Sequence, residues 1–150
     1  KVSRMNSFSF NLSLPVVKEA KPGCKCNTPE QIAALLQDTA HLAQEAFTVV
    51  TLNRKYGVLD RHLVSLGLVD ASLVHPREVF RPAFLDGACA VVVSHNHPSG
   101  DVTPSAEDIR ITRQLVEAGK ILDIEVLDHV IIGRGDRPFL SLRESGLVQF

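Results

Sequence analysis

The run "ACAVVV", residues 88 to 93, constrains the fold more than any other stretch, because six consecutive side chains carry neither a charge nor a polar alternation. A strand that is apolar on both faces has to be covered on both. It therefore lies inside a sheet with further elements packed above and below it. With 150 residues, 45% of them hydrophobic, the chain is long enough for one domain with a real core and cramped for two.

The elements around that strand can be read in order. Residues 7 to 14, "SFSFNLSL", place Phe8, Phe10, Leu12 and Leu14 on one face at period two, which predicts a short strand, and "KEAKPGCKCN" follows as a linker. Thr28, Pro29 and Gln31 form a capping-box start for a helix that buries Ile32, Leu35, Leu36 and Leu42 and ends near Glu45. "FTVVTLN" and "VLDRHLVSLG" read as two strands joined at "RKYG", with "SLVHP" as a candidate third. "PREVFRPAFLDG" opens with Pro76, closes at Gly87 and reads as a helix. Beyond the apolar run, Ser105 to about Gly119 predicts a helix, "ILDIEVLDHVIIG" a strand, and "PFLSLRESGLV" a last strand with a short helical turn. The sum is a single-domain mixed sheet with helices packed against it, class α/β or α+β. Residues 1–27 are expected as an arm and linker, and 28–150 as the body.

Charge is unevenly spread along this chain. Lys1, Arg4, Lys18, Lys21 and Lys25 against Glu19 alone leave residues 1–26 at +4, so with −1 overall the remainder carries −5. An acidic body lacks the broad basic footprint that phosphate-backbone binding requires, and direct nucleic-acid binding is not expected of it. No run of eighteen apolar residues is present, and the N-terminal stretch alternates instead of forming a signal-peptide core, so a cytoplasmic protein with no membrane partner is expected. Cys24, Cys26 and Cys89 are an odd number and fit reduced thiols. The first two are expected in an exposed linker, and Cys89 as a small core side chain.

The apolar run stops at "SHNHPSGDVTPSAED", residues 94 to 108. His95 and His97, two apart at the end of a strand, project to the same side. Ser105 followed by Asp108 is a helix start with a carboxylate in its first turn. The intervening turn returns the chain to the strand end, so Asp108 completes a two-histidine, one-carboxylate set. Taken singly, each residue is adequately explained as a loop histidine or a cap. Jointly their spacing points to a metal site with a position left for water, the arrangement of catalytic zinc. The same ligand classes serve a non-haem iron site, so they do not by themselves decide the metal. His75, Asp128 and His129 are open between support of the ligand imidazoles and ordinary structural roles, with His129 equally readable as a satisfied strand histidine. His41 and His62 read as surface, and Asp101 as a turn residue.

The stretch "HNHPSGDVTPSAED" resembles the zinc signature of the JAMM (MPN+) metalloprotease family. With "QEAFTVVTLN", "HPREVFRPAF" and "LDHVIIG" the match extends from about Thr28 to Phe150 and resembles the family's bacterial RadC-like branch. The resemblance implies a curved mixed sheet flanked by helices, the JAMM/MPN or cytidine deaminase-like architecture. It implies one Zn²⁺ held by His95, His97 and Asp108, Glu45 as catalytic acid/base, and Ser105 supporting the water or the oxyanion. Amide hydrolysis of a protein or peptide substrate follows, with a homodimer admitted. Full-length bacterial members carry a DNA-associated helix-hairpin-helix region, for which residues 1–27 show no pattern. A DNA-repair or mobile-element accessory and a non-catalytic interaction module are the two competing readings. A module would be expected to lack one of Glu45, His95, His97 and Asp108, and all four are present.

Overall fold

The computed structural model describes residues 24–67 and 74–150. "SFSFNLSL" and the first two residues of "SLVHP" lie outside these residues; of the rest, Val74 and His75 are not in a strand and Pro76 opens a helix. Five strands form one sheet: β1 (Ala46–Leu52), β2 (Val58–Leu66), β3 (Ala90–Asn96), β4 (Glu125–Ile132) and β5 (Phe139–Ser141), in spatial order β2-β1-β3-β4-β5. The apolar run is the central strand, and all seven residues of β3 are buried. It pairs antiparallel with β1 and parallel with β4, while β2 and β5 pair antiparallel at the two edges.

Three helices cover the faces, as an α+β single domain requires: α1 (Pro29–Leu36), α2 (Pro76–Leu85) and α3 (Ala106–Leu122). Ile32, Ala33 and Leu36 of α1 pack on Val50, Leu52, Val92, Val130 and Ile132. On the opposite face, Val79, Phe80 and Ala83 of α2 and Ile111, Leu115 and Val116 of α3 pack on Phe47, Val49, Val91, Val93 and Val126. The period-two alternation of strand side chains sorts β1 and β3 between these two cores. Helix α3 is the crossover between the parallel pair β3 and β4, which carries its N-terminus back to the sheet end where β3 finishes.

Several expectations need correction. The first helix stops at Leu36 and continues only as a 3₁₀ turn, Gln37–His41. The Thr39 hydroxyl donates to the Leu36 carbonyl at 2.7 Å, a local bond that competes with the α-helical ladder. Leu42 is consequently exposed, and Glu45 lies in the loop before β1 instead of at a helix end. The Gln31 side chain accepts the Asn27 N–H at 3.1 Å, one residue before the expected partner, while Thr28 still caps Gln31. Cys26 is not exposed linker: its N–H donates to Tyr56 O at 3.0 Å, and its thiol is buried against the α1 core, where burial and then Cys24 push its pKa up to about 11. Cys89 is exposed, because β3 begins one residue later at Ala90.

Candidate metal centre

The site forms where the C-terminal end of β3, the N-terminal end of β1 and the start of α3 meet. His95, in β3, and His97, one residue past its end, project to the same side, and their Nε2 atoms lie 3.0 Å apart. Asp108 sits at the third position of α3, 3.3 Å from His95 Nε2 through Oδ1 and 3.5 Å from His97 Nε2 through Oδ2. Glu45 is the residue before β1, the strand next to β3, with Oε1 3.7 Å from His95 Nε2. One ligand atom from each of these four residues falls within 4.8 Å of the others. His95 and Asp108 are buried, whereas the side chains of His97 and Glu45 each keep 17% of their surface open, so the cluster has one accessible side.

Hydrogen bonds on the far ring nitrogens decide which lone pairs face the centre. His97 Nδ1 lies 2.6 Å from the Asp101 carbonyl and donates to it, so in the neutral ring Nε2 carries the lone pair. His95 Nδ1 lies 2.7 Å from His129 Nε2, and His129 Nδ1 lies 2.6 Å from the Thr112 hydroxyl. Thr112 itself donates to the Asp108 carbonyl at 2.5 Å. With that proton committed, Thr112 accepts from His129 Nδ1, His129 Nε2 accepts from His95 Nδ1, and His95 Nε2 is left bare. With both rings neutral, two imidazole lone pairs thus face each other beside a carboxylate. That donor set fits a divalent cation, and Zn²⁺ in particular suits two imidazoles and one carboxylate with a further position open.

The electrostatics describe the same demand for positive charge. Burial acts to raise the Asp108 pKa, but the His95 and His97 rings, which donate to it when protonated, the charge His95 then carries and the Ser105 N–H together hold it far below the ordinary range. The hydrogen bond to Asp108 raises the His97 pKa against burial, helped by the Asp101 carbonyl. Glu45 is raised by burial, with His95 and His97 opposing and Asp108 adding to the rise. His129 is fully buried, and desolvation holds it well below the ordinary histidine value, so it is neutral.

The remaining candidates separate clearly. Ser105 caps α3, its Oγ accepting the Asp108 N–H at 3.1 Å while the Ser105 N–H donates to Asp108 Oδ2 at 2.7 Å. Asp128 points to the α1 face, where it accepts from Ser141 and from the Arg143 N–H; it does not reach the centre. His75 caps α2, and Asp101 accepts from Thr103 in its turn. His41 is exposed, and His62 is partly buried, bonded to Asp86 at 2.6 Å near Asp60. Sequence reasoning missed Thr112 and Asn96. Thr112 could have been found as the residue one helical turn after Asp108, on the same face.

A mixed five-stranded sheet flanked by helices, with a His-x-His pair and a helix-borne aspartate at the end of its central strand, is consistent with the JAB/MPN fold. The chain belongs to the RadC-like JAB domain family, which matches residues 26–147. A UPF0758 protein of Symbiobacterium thermophilum is 51% identical over 123 residues, 82% of this chain and 52% of that protein. Another, of Moorella thermoacetica, is 48% identical over 141 residues, 93% of this chain and 57% of its own length. The chain spans about half the length of the curated relatives it matches. Among the described residues, no helix is long and apolar enough to cross a membrane.

Proposed function

We propose that this chain is a zinc-dependent hydrolase that cleaves an amide bond, as a metallopeptidase or isopeptidase, in a protein or peptide substrate. The observation that carries the reading is the convergence of the His95 and His97 Nε2 atoms, 3.0 Å apart, on Asp108 with Glu45 alongside. His95, His97 and Asp108 would hold the ion, which when bound acts as a Lewis acid and brings the pKa of water from about 16 towards roughly 7.

The chain's own residues supply the rest. The Glu45 carboxylate takes a proton from a water beside it, the water oxygen bonds to the carbonyl carbon, and the C–N bond breaks as Glu45 returns that proton to the departing nitrogen. Burial raises the Glu45 pKa and so improves its match to both halves of this transfer. The Ser105 Oγ spends a lone pair on the Asp108 N–H, which leaves its own proton free to donate to the oxyanion. Neutral His129 holds the His95 ring in the tautomer that presents Nε2.

The test is zinc content by elemental analysis, together with cleavage of a library of peptide and isopeptide-linked substrates. One zinc per chain and metal-dependent cleavage are expected. Absence of bound zinc after reconstitution would defeat the reading, and iron at one per chain would move it to oxygenase chemistry.

A further inference from the structure

Asn96 lies between the two histidines and is fully buried. Its side chain leaves β3 away from the imidazoles, as strand alternation demands. Its carboxamide makes two hydrogen bonds, both to the backbone on either side of Glu45. Oδ1 accepts the Ala46 N–H at 2.7 Å, and Nδ2 donates to the Gln44 carbonyl at 3.0 Å. The main-chain ladder between β1 and β3 ends at Phe47 and His95, so one residue further on this side chain alone carries the pairing. A third bond, from the Gly67 N–H to the Glu45 carbonyl at 2.9 Å, ties the same segment to the end of β2.

We propose that Asn96 is the positioning residue for Glu45, a clamp that sets the carboxylate against the His95–His97 pair; the proposal rests on the reading of Glu45 as the proton-transfer group. The partners are one acceptor and one donor three atoms of backbone geometry apart from a common residue, and a carboxamide answers both with a single planar group. A carboxylate cannot donate to Gln44, a serine hydroxyl is too short to reach both, and glutamine is one methylene too long for a fully packed position. The histidines do not depend on the clamp. His95 and Asn96 pair through their backbones with Ile131 and Ile132 of β4, and the His97 N–H donates to Ile132 O at 2.9 Å. Asn96 therefore acts on Glu45 and leaves the ligands where they are.

The experiment compares wild type with Asn96→Ala, and with Asn96→Asp in case the alanine variant does not fold. Four readouts are taken: zinc per chain, amide exchange at Ala46 in the zinc-free protein, NOEs between the Glu45 side chain and the His95 ring, and kcat and KM. Asn96→Ala is expected to keep one zinc, to speed exchange at Ala46, to lose the Glu45 NOEs and to lower kcat about 10²-fold with KM unchanged. Asn96→Asp keeps the Ala46 acceptor and so keeps slow exchange there, yet loses the NOEs and kcat through repulsion of the Gln44 carbonyl. In a Glu45→Gln background, Asn96→Ala should cost nothing further in kcat. Loss of zinc, unchanged NOEs or an additive loss in the double variant would overturn the proposal. A wild type that binds zinc and cleaves nothing defeats the hydrolase reading alone; the exchange and NOE readouts then decide Asn96 by themselves.

Discussion

Ser105 and Asp108 satisfy each other twice: Asp108 Oδ2 accepts the Ser105 N–H at 2.7 Å, and Ser105 Oγ accepts the Asp108 N–H at 3.1 Å. The carboxylate in the capping box of α3 also faces both imidazoles, so helix start and candidate metal site are one construction. Ser105→Ala removes the side-chain half and keeps the backbone half. Zinc content should therefore persist, stability should fall by about 1 kcal/mol from the lost cap, and, with Ser105 as the proposed oxyanion donor, kcat should fall on the order of 10²-fold. Ser105→Thr should restore both. Denaturant unfolding and steady-state kinetics separate the two losses.

Glu45→Gln keeps volume and position and removes proton acceptance. One zinc per chain is expected with kcat reduced by about 10²–10⁴-fold. Zinc analysis beside turnover checks it; unchanged turnover would remove Glu45 from the mechanism, and lost zinc would make it a ligand.

Zinc affinity should depend on pH through His97. Its pKa is raised above 6.5 by the hydrogen bond to Asp108, so protons compete for Nε2 to higher pH than at an ordinary histidine. Affinity should climb as pH rises through that raised value and then level. In the zinc-free chain the same proton contributes stability that is fully present below 6.5 and lost as pH rises through the raised value. His129, lowered by desolvation, acts in the other window: its contribution is present above 6.5 and lost as pH falls below it. Chelator competition as pH is raised from about 6.5, and unfolding with and without zinc carried to both sides of that value, test both signs.

Thr112→Val is close in shape and breaks the chain of hydrogen bonds that orients His129 and, through it, His95. Zinc affinity should fall about 10–100-fold, while Thr112→Ser should retain it. Equal affinity in the valine variant would show that the His95 tautomer needs no such support.

Much of the centre was legible because two periodicities suffice for it. A strand repeat of two puts His95 and His97 on one face, and a helix start places Asp108 at its first turn. Glu45 was legible only by resemblance: the apolar spacing of Ile32, Leu35, Leu36 and Leu42 reads as one continuous helix, and nothing in that spacing registers the Thr39 hydroxyl that ends it. His129 stayed open for a different reason. The β3–β4 register shifts between Val91–Val126 and Val92–Asp128, leaving Leu127 as an extra residue, and that single insertion turns His129 and not Asp128 towards His95. Asn96 was invisible because its partners are backbone groups about 50 residues away, which no local pattern encodes.

Gly133→Ala should disturb the centre from outside it. A Cβ there would collide with the Gly100 carbonyl and the Val102 side chain, part of the loop whose Asp101 carbonyl holds His97. Destabilisation of about 1–3 kcal/mol and weaker zinc binding are expected; calorimetry and zinc titration measure them.

The three proposed ligands fall within residues 95–108, a single strand end, turn and helix start, whereas Glu45 arrives from the loop that precedes β1. Capture of the ion and handling of the proton are thus inherited on separate stretches of chain. On the proposed reading, one codon change at position 45 would remove the proton transfer and leave the residues proposed to hold the ion, and the fold, intact. The reverse change is equally short, provided the neighbours at 44, 46 and 96 have been kept.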